Sequence, residues 1–463
     1  MIPLTIAEIA EIIKAEIVGI DPEEVITEYP VIDSRKIEPG SFFVALPGER
    51  VDGNSYAKEA IANGARFAIT TINLGIPSLV VEDAGVALTK LAAAVRDQIK
   101  HCTFIGITGS HGKTTTKDLL GHVLGVAGET IVPTGSFNNE VGVPLTILHV
   151  TPNSRFCVVE MGARHMGDIA ALCKIAKPHI GIVLVVGTAH LGEFGSREAI
   201  ARTKGELIDS LPEHGVAILG TYDPLTPKMG EGSARKRITF GESSSCDVRA
   251  ADLEFREGLA HFDLVSSSGR APVALRLLGA HQVANALAAA ATALELGISI
   301  ESVAAALSTA EPKSKWRMEL HDLDQKLLIN DTYNANPESV SAALRTLVHL
   351  TQERGGASWA ILGKMHELGE SEREEHLQIG RLASELGVDH LISVGTDLYL
   401  EGLELDPNSG DEMLTHYVLT QEEALSMLNH VQPGDVLLVK ASRAEHLDEL
   451  SEKLLANWQV TQE

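Results

Sequence analysis

The sequence predicts an α/β protein of three domains, and three observations predict it. Apolar strand-like runs alternate with helix-periodic stretches along most of the chain, the pattern of doubly wound, mostly parallel sheets. The run Phe104-Ile-Gly-Ile-Thr-Gly-Ser-His-Gly-Lys-Thr-Thr-Thr reads as a buried strand, a glycine-rich turn and the first turn of a helix. At 463 residues the chain also exceeds what one hydrophobic core ordinarily supports.

The glycine-rich turn carries the clearest chemistry. Gly109 and Gly112 permit a tight turn whose N–H groups point inward, so Gly109, Ser110, His111, Gly112, Lys113, Thr114 and Thr115 form a candidate phosphate cradle. Lys113 can reach terminal phosphate oxygens, and the Thr114 hydroxyl can complete a Mg²⁺ shell. The general P-loop pattern needs glycine at position 107, where this chain has Ile107. The alternative is a glycine-rich strand-to-helix turn with a solvated lysine; the flanking strand and helix favour ATP or GTP.

Bulk properties narrow the classes. Lys+Arg 38 against Asp+Glu 63 gives a net charge of −25, which argues against a nucleic-acid surface and requires anionic ligands to be held locally. The four cysteines, Cys102, Cys157, Cys173 and Cys246, include no Cys-x-x-Cys pair, so reduced, partly buried thiols in the cytosol are expected. The N-terminus has no basic region and is interrupted by acids, unlike a signal peptide, and no apolar run reaches membrane-spanning length.

Read in order, residues 1–98 form a small α/β unit, with helices over Thr5–Ala15, Tyr56–Asn63 and Gly85–Ile99 and strands over Phe67–Thr70 and Ser78–Val81. Asp33-Ser34-Arg35 and the polar loop Pro47–Gly53 suit either a polar ligand or a plain turn and surface loop. Residues 99–311 form the central domain. Strands Phe156–Glu160 and Ile180–Val186 end at Glu160 and shortly before His190, on the rim where open α/β sheets bind ligands. A carboxylate and an imidazole there suit Mg²⁺ or Mn²⁺; taken singly, they also fit an acid near a helix start and a core histidine. Lys204, on the helix Ser196–Leu207, would alone pass for a solvated face. A β-rich stretch follows over 215–278, then an alanine-rich helix in which Asn285 is placed either to read an adenine edge or to face solvent.

Residues 312–463 form a Rossmann-like domain with strands Leu327–Asn330, Ala357–Leu362, His390–Val394 and Val436–Val439. Asp331-Thr-Tyr-Asn-Ala-Asn-Pro-Glu-Ser caps a helix, and Gly363-Lys-Met-His-Glu-Leu-Gly and Lys440-Ala-Ser-Arg443 set polar residues after strand ends. The acidic cluster Glu370–Glu375 reads as a solvated helix face.

With these residues in view the chain resembles the Mur ligase superfamily, over almost its whole length. The likeness lies in Asp33-Ser-Arg-Lys, Thr108-Gly-Ser-His-Gly-Lys-Thr-Thr-Thr-Lys, Asn138-Asn-Glu-Val-Gly-Val-Pro, Glu160-Met-Gly-Ala, Ala189-His-Leu and Asp331-Thr-Tyr-Asn-Ala-Asn-Pro-Glu-Ser. The Asn-Asn-Glu-Val-Gly-Val-Pro and Tyr-Asn-Ala-Asn-Pro runs point to the branch that adds D-alanyl-D-alanine. The resemblance implies a small N-terminal α/β domain facing the UDP end of the substrate, a central P-loop-type parallel-sheet ATPase domain and a C-terminal Rossmann-like domain that holds the amine substrate and closes on the nucleotide.

It further implies Lys113 on the terminal phosphates, and Mg²⁺ on Thr114, Glu160, His190 and Lys204, the last matching a lysine carbamylated in sister ligases. Gln282 and Asn285 would lie near adenine, Arg317 on the phosphates, Asp331 on the ribose, and Ser34 and Arg35 at the UDP end. Asn138, Asn139, Tyr333, Asn334 and Asn336 would face substrate. Lys113, Glu160, His190, Lys204 and Arg317 would serve catalysis.

Three departures stand out: His281-Gln-Val-Ala-Asn285 in place of the usual His-Asn-x-x-Asn, and the Gly363-Lys-Met-His and Lys440-Ala-Ser-Arg runs. The implied reaction is ATP-driven amide formation by a cytoplasmic monomer in peptidoglycan precursor synthesis. UDP-N-acetylmuramoyl-tripeptide and D-alanyl-D-alanine are the implied substrates, with an acyl phosphate between them. A sister ligase adding a diamino acid or glutamate is the alternative, and a nucleotide-binding regulator without ligase chemistry a more distant one.

Overall fold

A computed structural model describes residues 1–48, 51–188, 191–404 and 413–460. Three larger sheets organise it. The first has five strands in the order Glu16–Val18, Ser78–Val80, Ala68–Thr70, Phe42–Val44 and Pro30–Val31, parallel apart from the first pair. The core under it is not closed on itself. The helix Ala84–Gln98 packs against the helix Ile6–Ile13 and against central helices Gly142–Leu148 and Asp168–Ala176, so the first core runs into one face of the central sheet. Buried Arg96 joins the two, its Nε donating to Ala176 O at 2.7 Å and its guanidinium lying 4.0 Å from the Phe104 ring centroid.

The central sheet has nine strands. Thr130–Ile131, Phe156–Glu160, Thr103–Thr108, Ile180–Val183, Val216–Gly220, Lys236–Gly241 and Val248–Arg256 run parallel, and Leu259–Ser266 and Gly269–Leu278 continue the sheet antiparallel. The strand Thr103–Thr108 lies between Phe156–Glu160 and Ile180–Val183, with Ile107 opposite Glu160 and Thr108 opposite Val183. Their carboxyl ends therefore share one rim, and the helix Lys113–Gly125 starts there.

Ile107 is fully buried within this strand, and its carbonyl accepts from Met161 N at 2.8 Å. The strand continues where a P-loop glycine would stand, and the turn begins only at Gly109.

The third sheet runs Glu319–Leu323, Lys326–Asp331, Val436–Lys440, Ser358–Gly363, His390–Val394, Leu414–Val418, parallel except for its first pair. Two of these strands were not anticipated. Glu319–Leu323 is short, half-buried and carries His and Asp, which blurs its alternation, yet Asp324 (φ 54°) and Gln325 (φ 61°) turn it back as a hairpin. Leu414–Val418 is an edge strand with exposed Leu414 and Tyr417.

Two expectations need correction. The strand expected over Ile180–Val186 ends at Val183, because Val186 N donates to Asp223 Oδ2 at 2.9 Å and Val185 O accepts from Ser110 N at 2.9 Å. The Glu370–Glu375 cluster is not one solvated face. Glu372 pairs with Lys364 at 2.8 Å, and partial burial pushes the Glu375 carboxyl upward.

The helix Glu372–Glu385 lies so close to the helix Leu398–Glu404 that a methyl at Gly380 would stand 1.9 Å from Tyr399 O. Backbone has to shift to admit it. We expect Gly380→Ala to cost about 3 kcal/mol and to lower the thermal transition of the third domain. Gly125→Ala, with nothing within 4 Å, should leave that transition in place or raise it.

Candidate active site at the seam of the second and third sheets

The rim of the central sheet and the carboxyl end of the third sheet enclose a cleft of about 970 Å³. Its floor is the glycine-rich turn. Gly109 (φ 159°) and Gly112 (φ 81°) shape that turn, and at Gly112 a Cβ would come within 2.4 Å of Asn285 Oδ1. Asn285 is buried, not solvent-facing: its Oδ1 accepts from Thr116 Oγ1 at 3.2 Å and its Nδ2 donates to Gln282 Oε1 at 2.8 Å. The helix His281–Glu295 is thereby fastened to the cradle.

Thr114 is the junction of the site. Its hydroxyl donates to Glu160 Oε2 at 3.0 Å and accepts from Arg317 Nη2 at 3.0 Å. Glu160 is fully buried, and its other oxygen accepts from Ser136 Oγ at 3.1 Å and Asn138 Nδ2 at 2.9 Å. All three donors are neutral, and among the described residues no ion pair balances this carboxylate. A buried carboxylate with no direct ion pair, beside two hydroxyls, fits a hard divalent cation. No group of three or more His, Cys, Asp or Glu gathers as a metal cage among the described residues.

The cations are also buried. Burial pushes the Lys113 ammonium down, opposed by Glu160 and reinforced by Arg317, and its Nζ donates to Gly109 O at 2.7 Å. Lys204 is 4% exposed and lines the cleft, so it is not the solvated-face lysine it resembles when taken alone. Burial first, and then Lys113, push its ammonium down to about 7. Burial likewise pushes the His111 imidazole down against the pull of Glu338, and His281 to about 3 with His111 and Lys440 adding to the effect.

The third sheet supplies the facing wall. Arg317 lies 3.9 Å from the Tyr333 ring centroid, and Asp331, at the end of Lys326–Asp331, accepts from Lys440 Nζ at 2.5 Å and Met318 N at 3.2 Å. Lys440 also donates to Asn334 O at 2.9 Å. Glu338 crosses to the central sheet, where its Oε1 accepts from Thr188 N at 2.6 Å and Thr188 Oγ1 at 2.9 Å. Its Oε2 is buried without a partner among the described residues.

The cleft thus brings together Ser110, His111, Gly112, Lys113, Thr114, Thr115, Asn138, Asn139, Glu160, Lys204, Gln282, Asn285, Arg317, Asp331, Tyr333, Asn334 and Asn336. Two of these amides also shape backbone: Asn139 Oδ1 accepts from Gly142 N at 3.0 Å, and Asn336 Oδ1 accepts from Ser339 N at 2.8 Å as a helix cap. Ser34 and Arg35 lie away from this cleft lining, on a turn of the first domain. Ser34 is buried, and exposed Arg35 grips Asp33 with two bonds of 2.8 and 2.9 Å, holding that carboxyl down to about 2. His190 falls outside the described residues.

Sequence reasoning missed Ser136, His281, Glu338, Lys440 and Ser442 as site residues. Lys440 and Glu338 carried a signal, one closing an apolar strand and the other following Asn-Pro at a helix start. Ser136 had none, because its role depends on where the loop folds back over Glu160.

Comparison with known proteins agrees with this geometry. Residues 31–100 match the Mur ligase family catalytic domain, 107–293 the Mur ligase middle domain and 316–443 the Mur ligase glutamate ligase domain. The UDP-N-acetylmuramoyl-tripeptide–D-alanyl-D-alanine ligase of Mycobacterium bovis is 42% identical over 99% of this chain and 98% of its own length. That of Escherichia coli K12 is 32% identical over 99% of both. A crystal structure of MurF from Acinetobacter baumannii superposes with a TM-score of 0.86 at 35% identity, covering 98% of this chain and 99% of that one. The MurF ligase of Thermotoga maritima in complex with ADP superposes at 0.78 with 29% identity, covering 94% and 99%. The chain belongs to the Mur ligase family, in its UDP-N-acetylmuramoyl-tripeptide–D-alanyl-D-alanine ligase branch.

Proposed function

We propose that this chain joins D-alanyl-D-alanine to a UDP-N-acetylmuramoyl-tripeptide, driven by ATP, in the assembly of a peptidoglycan precursor. The observation that carries this reading is the Arg317–Thr114–Glu160 chain of bonds, which ties the third-sheet wall to the phosphate cradle. The tripeptide's terminal carboxylate attacks the γ-phosphorus, the bond to ADP breaks and an acyl phosphate forms. The dipeptide nitrogen then attacks the acyl carbon, a C–N bond forms, and the C–O bond to phosphate breaks.

The residues divide this work. Backbone N–H groups of Ser110–Thr115 and the Lys113 ammonium hold the phosphates, and Arg317 offsets charge gathering on the transferred group. Asp331 takes the ribose, Gln282 and Asn285 lie toward adenine, and Ser34 and Arg35 take the UDP end. Asn138, Asn139, Tyr333, Asn334 and Asn336 face the peptide substrates. Thr114, Glu160, His190 and Lys204, the last as a carbamate, would hold Mg²⁺, which supplies charge neutralisation when bound.

The division into 1–98, 99–311 and 312–463 is part of this proposal: placing nucleotide groups on two domains makes closure depend on ATP and keeps water from the acyl phosphate. Among the described residues no helix is long and apolar enough to cross a membrane, and we place the reaction in the cytoplasm, where ATP is at hand. One chain supplies every group named, so the reading needs only a monomer.

A sister activity is less well supported. A UDP-N-acetylmuramoyl-L-alanyl-D-glutamate–2,6-diaminopimelate ligase superposes with a TM-score of 0.54 at 20% identity, a likeness of fold alone.

Coupled ADP release with the lysine- and diaminopimelate-containing tripeptides should depend on D-alanyl-D-alanine; release that follows a free diamino acid or glutamate instead overturns the reading. Arg317→Met should lower kcat by about 10²-fold while ADP still binds by calorimetry. Gly112→Ala, whose methyl meets Asn285, should abolish nucleotide binding in the same titration. Buffer stripped of carbon dioxide should slow the parent, and bicarbonate should restore it. A parent indifferent to both removes the carbamate from Lys204.

A further inference from the structure

The loop after strand Ser358–Gly363 holds a histidine that the reading above leaves unused. His366 lines the active-site cleft, its side chain 37% exposed, and its Nε2 lies 2.5 Å from Glu445 Oε1. The backbone around it is pinned from both sides. His366 N donates to Ser442 Oγ at 2.9 Å, Ser442 N donates to Lys364 O at 3.1 Å, and Met365 N donates to His376 Nε2 at 3.0 Å. Among the described residues nothing hydrogen-bonds to Nδ1.

This loop lies at the seam. A Cβ on Gly369 would stand 2.5 Å from Gly192 Cα, and one on Gly192 would stand 2.6 Å from Gly369 N, so the two backbones touch. Gly192 lies on the helix Leu191–Phe194, directly after the rim loop that follows strand Ile180–Val183. Arg164 of the central domain reaches the same loop, 3.7 Å from Glu367. The held imidazole therefore shares one cleft lining with the phosphate cradle.

We propose that His366, oriented by Glu445, accepts the proton of the incoming D-alanyl-D-alanine ammonium. The proposal rests on the ligase reading and deepens it. An ammonium has no lone pair and cannot attack. With Nε2–H held by Glu445, Nδ1 is the acceptor; it takes one proton, the freed nitrogen attacks the acyl carbon, the C–O bond breaks and the departing phosphate carries off the nitrogen's second proton, and the imidazolium returns the first to water. The charged groups on this wall are otherwise engaged. Lys364 pairs with Glu372, Arg443 with Asp448 at 2.7 Å, Lys440 with Asp331, and Glu367 with Arg164, while the neighbouring His376 is held through Met365 N and Glu372 O. Glu445 is the anion directly on the ring.

The experiment separates acyl phosphate formation from amine capture. Full-length parent, His366→Ala, His366→Gln and Glu445→Gln are assayed with ATP and UDP-N-acetylmuramoyl-tripeptide, using D-alanyl-D-alanine or hydroxylamine, an amine already neutral near pH 7. The His366 variants should lose about 10²-fold in kcat with D-alanyl-D-alanine near neutral pH. The loss should shrink as pH rises and the free amine accumulates, and hydroxamate formation should match the parent. Glu445→Gln should show the same pattern, weaker.

Equal losses with both amines, or a loss that does not change with pH, overturn the proposal in favour of a packing role. Wild-type behaviour of Glu445→Gln overturns the orientation by Glu445. A parent that releases no ADP with either amine overturns the ligase reading itself.

Discussion

The hydroxyl of Thr114 is where the molecule's organisation converges. It stands on the first turn of the helix Lys113–Gly125, gives its proton to Glu160 and receives a bond from Arg317, which belongs to the connection into the third domain. Glu160 is buried without a direct ion pair among the described residues, a costly state for a carboxylate. Ser136 and Asn138 hold its Oε1 while Thr114 holds its Oε2, so the carboxylate is aimed before any ligand arrives. Preorganisation of this kind lets a site stabilise developing charge without rearranging at the moment of reaction.

Two further constraints follow from the same convergence. The cradle must approach Asn285 so closely that only glycine fits at 112, which makes the alanine-rich helix part of the nucleotide site rather than mere support. On the opposite wall, Asp331 and Lys440 end adjacent parallel strands and pair with each other while Asp331 also receives Met318 N. That bond fixes the backbone next to Arg317, so the geometry of the third sheet is passed directly to the guanidinium. Glu338 makes a second crossing, to Thr188 in the loop after a central strand. Contacts around the glycine-rich turn and contacts between the domains are thus made by neighbouring or identical residues.

The architecture was legible because its signals are local and repeated. Strands such as Phe156–Glu160 are continuous apolar runs, the helix Ile300–Thr309 is bounded by turn residues at both ends, and the glycine-rich turn carries its own chemistry. Glu160 could be picked out because it closes such a strand. Lys204 and Asn285 were ambiguous for the opposite reason: each sits on a helix whose buried face is decided by distant elements. Ser136 and Lys440 were missed because their partners, Glu160 and Asp331, lie 24 and 109 residues away in sequence. The strand Ile180–Val183 ended early because backbone groups beyond it are taken by Asp223 and Ser110, a competition that no local pattern records.

The seam between Gly192 and Gly369 shows why this wall of the cleft was hardest to read. Two backbones meet there without side chains between them, one from the central domain and one from the loop that carries His366. Nothing in either stretch announces the other, and each glycine alone reads as a turn. Where they touch, the loop's position is set by that contact as well as by its own sequence, and His366 is placed by Ser442 and Glu445 from a strand end some eighty residues on. A wall assembled this way needs both domains in contact, so neither stretch taken alone could reveal it.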